Sequence, residues 1–139
     1  MGLYAGAVVA LFAGTTERTQ AAAAVAAAVN ADGRGYFAYH YGGNSSEVEV
    51  RSRALGHCMT SGGLRPKIIA STSKRGYGAV VLYYRVNRSI GYTASVGTAS
   101  EREAMEDALR KAKAAGGRTA VVKHTFHDLP GISGQAINL

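Results

Sequence analysis

The sequence is poor in the residues that usually build a thick core. Its 139 residues include no tryptophan, three phenylalanines, two prolines and one cysteine. The single cysteine, Cys58, excludes an intramolecular disulfide, so cysteine usage does not indicate a redox compartment. No apolar run reaches the roughly 20 residues that a membrane-spanning helix needs. We therefore expect one domain with a thin core, in which helices pack closely on a sheet.

Acidic residues are also scarce. Nine Asp and Glu oppose sixteen Lys and Arg, which gives a formal net charge of +7. Such a balance attracts anions, including nucleic acid, acidic glycans and anionic lipid. A basic surface without a dedicated ligand explains the same numbers, so the charge alone does not identify a partner.

A short pattern occurs three times and organises the chain. A glycine, small polar residues and an acid open each copy, and a glycine followed closely by an arginine ends it. The openings begin at Gly14, Gly43 and Gly97, and the ends lie at Gly33, Gly62 and Gly116. Each copy predicts a strand, a helix and a second strand.

The predicted helices span residues 16–29, 46–60 and 100–115. Alanine, the best helix former, dominates residues 20–29. Ser46 with Glu49 and Ser100 with Glu103 have the spacing of capping boxes. The predicted strands span residues 4–12, 35–41, 67–72, 77–84, 90–96 and 119–126, and the fourth and fifth form a hairpin. Within them, the sequence Gly-Tyr-Phe-Ala at 35–38 matches Gly-Tyr-Thr-Ala at 91–94.

The expected fold class is α/β, with α+β as the alternative. Strand–helix–strand units build a mixed sheet of about six strands, with three helices mainly on one face because such crossovers are right-handed. Residues 1–128 form this domain, and the uncharged tail 129–139 docks on the domain or on a neighbouring molecule. The opposite face of the sheet needs a cover, so we expect the tail or a second copy there, and hence a homo-oligomer. The apolar residues 3–13 predict a strand, not a signal peptide, since no Lys or Arg precedes them.

The Gly-Tyr-Gly-Ala-Val-Val sequence at 76–81, the Ile-Gly-Tyr-Thr-Ala-Ser sequence at 90–95, the helix 100–115 and the strand 119–126 together resemble a bacterial family. This family of small, mostly secreted proteins is known only as a domain of unknown function. Residues 23–72 resemble it more loosely. The resemblance implies a secreted or periplasmic location, and without it we expect a cytoplasmic one. It implies no activity and no catalytic residue.

Five arginines follow predicted helix ends or flank the predicted hairpin turn. They form the predicted anion-binding rim, and they are Arg34, Arg65, Arg85, Arg88 and Arg118. Arginine suits bidentate contacts with phosphate or carboxylate. The alternative is that cations beyond helix ends simply complement the helix dipoles.

Tyrosines alternate with these cations and predict an aromatic surface. Its members are Tyr36, Tyr39, Tyr83, Tyr84 and Tyr92. Aromatic sheets with basic edges stack the bases of single-stranded nucleic acid or stack on sugars. Tyrosine is also an ordinary half-buried strand residue, which is the alternative interpretation.

Catalytic and metal signals are weaker. Cys58 could act with a histidine, either His40, His57, His124 or His127, but it lies near a predicted helix C-terminus, where the dipole disfavours a thiolate. His124 and His127, next to Asp128, point to opposite faces of a strand, so the sequence predicts no metal and no cofactor.

These signals favour a non-enzymatic interaction module that self-associates and binds an acidic partner through its Arg/Tyr surface. That partner is a protein, as for a small inhibitor or immunity protein, or an anionic polymer. The alternatives are a small hydrolase that uses Cys58 or a histidine, and a nucleic-acid-binding protein.

Overall fold

The structure, a computed structural model, describes residues 21–31, 35–128 and 131–139. These residues form seven strands and two helices. The strands are β1 (Ala22–Asn30), β2 (Tyr36–Gly43), β3 (Gly63–Thr72), β4 (Tyr77–Tyr84), β5 (Ile90–Thr98), β6 (Thr119–His127) and β7 (Ser133–Asn138). The helices are α1 (Glu47–Thr60), between β2 and β3, and α2 (Glu101–Ala114), between β5 and β6.

The strands form two antiparallel sheets. The larger sheet has the order β3-β1-β2-β7, and the smaller has the order β5-β4-β6. Each sheet grows from the same unit, which is two hairpin strands, a helix and a third strand that returns beside the first. The chain therefore contains two ββαβ units, to which β7 adds an edge strand beside β2.

The domain has four layers, because the apolar side chains of each sheet are divided between its two faces. The alanines of β1 at even positions from 22 to 28 pack against α1, whereas Val25 and Ala27 face the second sheet. In β4, Val81 packs against α2 and Val80 faces the first sheet. The order of layers is thus α1, larger sheet, smaller sheet and α2. Small side chains in the middle strands let these layers pack closely.

The two helices are built alike. The side chains of Ser46 and Ser100 accept the backbone N–H of Glu49 and Glu103 at 3.2 and 3.1 Å, as their capping-box spacing predicts. Each helix buries three residues spaced by four, namely Val50, Ala54 and Cys58 in α1 and Ala104, Ala108 and Ala112 in α2. Each ends before a glycine with positive φ, at 113° for Gly62 and 96° for Gly116.

The alanine-rich segment departs most from the predicted secondary structure. Residues 22–29, predicted as part of a helix, form strand β1, and β1 pairs with both β2 and β3. Pairing on both edges and burial on both faces outweigh the intrinsic helix preference of alanine, which is a weak prior. The rest of that predicted helix and the predicted strand 4–12 lie outside the described residues.

The predicted arrangement of layers is also wrong. The described part of the chain contains seven strands in two antiparallel sheets and two helices, not six strands in one mixed sheet with three helices on one face. The repeat occurs twice in this part, with α1 and α2 on opposite outer faces. A second sheet, not another molecule, covers the inner face of each sheet. The other predicted elements, from residue 35 to residue 126, have the predicted type.

Candidate functional site

In the described part of the chain, a cleft opens along the edge where β3 lies beside β5. Its volume is about 460 Å³, which is enough for a small ligand or a short segment of a polymer. Both ββαβ units contribute to it. The aromatic and cationic residues of its lining are Tyr36, Tyr83, Tyr92, Lys67, Arg85 and Lys111. We call this opening the inter-sheet cleft.

Two tyrosines from matching positions of the two units form its aromatic wall. The rings of Tyr36, at the start of β2, and Tyr92, in β5, lie 5.8 Å apart at an angle of 58°. Burial raises the pKa of Tyr92, and the neighbouring Tyr36 adds to this shift. Both tyrosines present hydroxyl groups and ring faces to a ligand, and the raised pKa keeps the Tyr92 phenol neutral at physiological pH.

The three cations of the cleft differ in how far they are already engaged. Lys67 is exposed and forms no ion pair with any described residue. Lys111 donates to the Ala94 carbonyl at 3.1 Å and pairs with Asp107 at 3.1 Å, so Asp107 offsets part of its charge. Lys67 is therefore the cation most available to an incoming anion.

Arg85 has a structural role in addition to its charge. Its guanidinium donates to the Ala115 carbonyl at the end of α2, to Ser89 Oγ and to Tyr83 Oη, at 3.1, 3.2 and 2.9 Å. It also lies over the Tyr83 ring, with its carbon 5.0 Å from the ring centroid. The remaining N–H groups of the Arg85 guanidinium are available to a ligand. Because the bonds above hold the guanidinium plane in place, they also set the direction in which those N–H groups point.

The predicted arginine rim reaches the cleft through Arg85 alone among its described members. Arg88 is exposed at the β4–β5 turn, with φ of 69°, and Arg118 is exposed where its N–H bonds the Tyr84 carbonyl. Arg65 is exposed in β3, with φ of 51°, at a bulge just before Lys67. Arg34 lies outside the described residues. The lysines 67 and 111 were missed because they follow neither a glycine nor a helix end.

The predicted aromatic surface is divided among several places. Tyr36 and Tyr92 meet in the cleft, and Tyr83 is almost fully buried beneath α2 while its ring still reaches the cleft. Tyr39 lies on the α1 side, where it stacks on His57 at 5.3 Å. Tyr84 is exposed and does not line the cleft. The five tyrosines therefore do not form one continuous platform.

Cys58 has the environment of a core residue. It has no exposed surface, and burial raises the pKa of its thiol to about 11. A thiol with that pKa contains very little thiolate at neutral pH. The neighbouring His57 instead stacks on Tyr39 and Tyr41, on the outer side of the sheet.

The histidines near the C-terminal strands gather without forming a metal site. No group of three or more His, Cys, Asp or Glu among the described residues is arranged to hold a metal ion. His124 bonds Gln135 at 3.1 Å, and His127 stacks on Tyr77 at 3.9 Å. His40 instead pairs with Asp128 at 2.7 Å, in the interior. No local sequence pattern predicts this pair, because the two residues are 88 positions apart.

No protein-family model, curated protein or solved structure matches this chain. The resemblance of residues 76–126 to a bacterial family therefore stays a prediction, and function has to be argued from geometry. Neither of the two described helices is long and apolar enough to cross a membrane.

Proposed function

We propose that the protein is an interaction module that binds an acidic partner in the inter-sheet cleft, without chemical change to that partner. The observation that carries this proposal is the convergence of Tyr36, Tyr92, Lys67, Arg85 and Lys111 on one cleft of about 460 Å³. Cations supply attraction and bidentate contacts, while the tyrosines supply ring faces and hydroxyl donors.

Long-range charge supports the same conclusion. The chain carries a formal net charge of +7, so anions are drawn towards it before any specific contact forms. Arg65, Arg88 and Arg118 are exposed and extend the positive field beyond the cleft. An anionic polymer fits this distribution best, because it can place one charged group in the cleft and others along the surrounding surface.

The experiment compares two lysine variants that change the net charge equally. Lys67→Gln removes the available cation of the cleft, whereas Lys123→Gln removes an exposed lysine on β6 that lines neither this cleft nor the smaller pocket between β6 and β7. We expect Lys67→Gln to elute from immobilised heparin at clearly lower salt, and Lys123→Gln to elute close to the wild type. Equal shifts for the two variants would mean that net charge, not the cleft, carries the binding.

The same variants separate the kinds of partner. Titration with a labelled single-stranded oligonucleotide tests nucleic acid, and titration with poly-glutamate tests an acidic protein segment. Arg118→Gln tests whether the predicted arginines outside the cleft take part. Light scattering tests the predicted self-association. That prediction was based on a bare sheet face, but in the structure the second sheet covers this face.

A further inference from the structure

The inter-sheet cleft has an unpaired strand edge along one side. In the smaller sheet, β5 pairs with β4 alone, so its other edge has no neighbouring strand among the described residues. Residues 90–94, all in β5, line the cleft. They span about 14 Å at the usual rise of a strand. The cleft therefore follows a free sheet edge, and such an edge can accept an extended peptide as a further strand.

The hydrogen-bond ladder decides which residues of β5 direct their backbone groups to this free edge. The N–H of Arg85 donates to the Ser89 carbonyl at 2.9 Å, next to the β4–β5 turn. Bonded and non-bonded pairs alternate along an antiparallel ladder. Counting from this bond in the observed register, Gly91 is bonded to β4, whereas Ile90 and Tyr92 are not. The N–H and C=O of Tyr92 therefore point away from β4, to the free edge.

Lys111 supports this assignment independently. Its Nζ donates to the Ala94 carbonyl at 3.1 Å. Ala94 comes two residues after Tyr92, and the backbone groups of alternate residues point to the same edge of a strand. A side chain of α2 thus reaches a backbone carbonyl at the edge that the ladder leaves free. None of the described residues hydrogen-bonds the N–H or the C=O of Tyr92, so both are available to a ligand.

The other edge strands of the two sheets are less suited to accept a strand here. β3 contains Pro66, which has no N–H, and Arg65 with φ of 51°, and its register with β1 shifts twice. The strands β6 and β7 do not line the cleft. By contrast, β5 keeps one register with β4 from Ile90 to Ser95. The regular edge beside the cleft is therefore that of β5.

Cations lie on both sides of the space beside this edge. Arg85 and Lys111 are on the side of α2, since Arg85 bonds the Ala115 carbonyl and Lys111 belongs to that helix. Lys67, from β3, is on the side of the larger sheet. The side chains of an added strand would alternate between these two sides. Acidic side chains at successive positions would thus meet a cation on either side, so charge complementarity favours an acidic peptide.

We propose that an extended acidic peptide binds in the inter-sheet cleft as an added strand beside β5, with its backbone bonded to the N–H and C=O of Tyr92. This inference rests on the proposed function, since it names the class of partner that the cleft takes. The Tyr92 ring, in contact with Tyr36, packs against one face of the added strand. A glycan or a nucleic acid has no peptide backbone to pair with β5, so such polymers bind through charge alone.

The first test compares two peptides of equal charge with the full chain. One is an octaglutamate with blocked ends, and the other is the same peptide N-methylated at its central residues, which removes backbone donors and keeps the carboxylates. We expect the N-methylated peptide to bind about tenfold more weakly in calorimetry. Tyr92→Pro should bind octaglutamate about tenfold more weakly than Tyr92→Ala, because both lack the ring and only proline lacks the N–H. Equal affinities in either comparison, or no binding of octaglutamate to the wild type, would overturn the proposal.

A second measurement uses only the wild type, so it holds even if Tyr92→Pro fails to fold. Hydrogen exchange followed by NMR should slow roughly 20-fold at the Tyr92 amide when octaglutamate is present at about 20 times its Kd. Thr93, whose N–H pairs with β4, is the control and should exchange slowly with and without peptide. Heparin, which supplies no strand, should leave the Tyr92 exchange unchanged. If heparin retention depends on Lys67 but bound octaglutamate does not protect Tyr92, the added strand is wrong and the proposed function still holds.

Discussion

Tyr36 and Tyr92 occupy matching positions in the two ββαβ units and contact each other, with ring centroids 5.8 Å apart. Each follows a glycine and lies two residues before a buried alanine, Ala38 in one unit and Ala94 in the other. The two copies of the repeat thus contact each other through equivalent tyrosines. The inter-sheet cleft lies where the two units meet, so its lining could not form from either unit alone.

The glycines that end the two helices give the first prediction. Gly62 and Gly116 have φ of 113° and 96°, a region that side chains with a Cβ adopt only with strain. Gly62→Ala and Gly116→Ala should each lower the free energy of unfolding by about 1 kcal/mol in urea denaturation. Gly56→Ala is the control, because Gly56 lies within α1 with open space around it. This variant should have a free energy of unfolding that is higher by about 0.5–1 kcal/mol.

Gly78 gives the second prediction, which concerns the packing of Phe126 of β6 against β4 within the smaller sheet. A Cβ at Gly78 would meet the Phe126 ring and would lie 2.7 Å from the Ser95 carbonyl oxygen. Because the carbonyl belongs to the backbone of the paired strand, it cannot move aside easily. Gly78→Ala should lower the unfolding free energy by about 1–3 kcal/mol. It should also shift the NMR signals of the His40 ring, on which Phe126 stacks. An unchanged melting temperature would contradict this packing.

The elements that could be predicted correctly from the sequence are those with strong local signals. The capping boxes at Ser46 and Ser100, with glycines at both helix ends, placed α1 and α2 correctly because these signals are local. Residues 22–29 were misassigned because alanine carries little information on burial. Whether such a segment is helix or strand depends on pairing with β2 and β3, and those partners are set by the whole chain.

The candidate sites show the same division. Arg85 was among the predicted anion-binding residues because it flanks the hairpin turn, and Tyr36 and Tyr92 were among the predicted aromatic residues, but their contact with each other was not predicted. Lys67 needed the packing of β3 beside β5, and His40 needed Asp128, 88 positions away, so no spacing rule could bring either to attention. Residues 35–38 and 91–94 did contain the decisive signal for two units, because their match is the trace of the ββαβ repeat.

Cys58 gives the third prediction. The thiol is fully buried and its pKa is raised to about 11, so native protein should react with iodoacetamide far more slowly than urea-unfolded protein. Cys58→Ser should lower the unfolding free energy by about 1–3 kcal/mol, since its hydroxyl needs a partner in an apolar site. Cys58→Ala, which copies Ala112 of the other unit, is the milder comparison. Rapid labelling of native protein would instead support a catalytic thiol.

Asp107 gives the fourth prediction, on pH. Burial opposes its ionisation, but hydrogen bonds from Ser95 and Lys111 outweigh this and hold the pKa of its carboxyl below the ordinary value. A lowered pKa in the folded state contributes stability that is present above the unfolded pKa, near 4, and is lost as the pH falls through the folded value. Ser95→Ala should therefore raise the pKa of Asp107, which an NMR titration would measure.

The stability difference between wild type and Ser95→Ala should then shrink as the pH falls below about 4. Glu106→Gln is the control, because Glu106 is an exposed residue of the same helix whose ion pair with Arg102 lies on the surface. A difference for Ser95→Ala that is the same at pH 7 and pH 3 would show that the hydrogen bond to Asp107 is not its source.

The last prediction concerns β7, the edge strand formed by the C-terminal residues. Ile137 is 5 % exposed and packs between the sheets, whereas Ile132, just before β7, is 74 % exposed. Ile137→Ala should therefore lower the unfolding free energy by about 2–4 kcal/mol, and Ile132→Ala should change it by less than about 0.5 kcal/mol.

Deleting residues 133–139 should have a larger effect, because it also leaves the β2 edge unpaired from Phe37 to Gly42. An unpaired edge invites pairing between molecules, so light scattering should detect association of the truncated chain. If the truncated and full-length proteins are both monomers with equal melting temperatures, β7 does not hold the sandwich together.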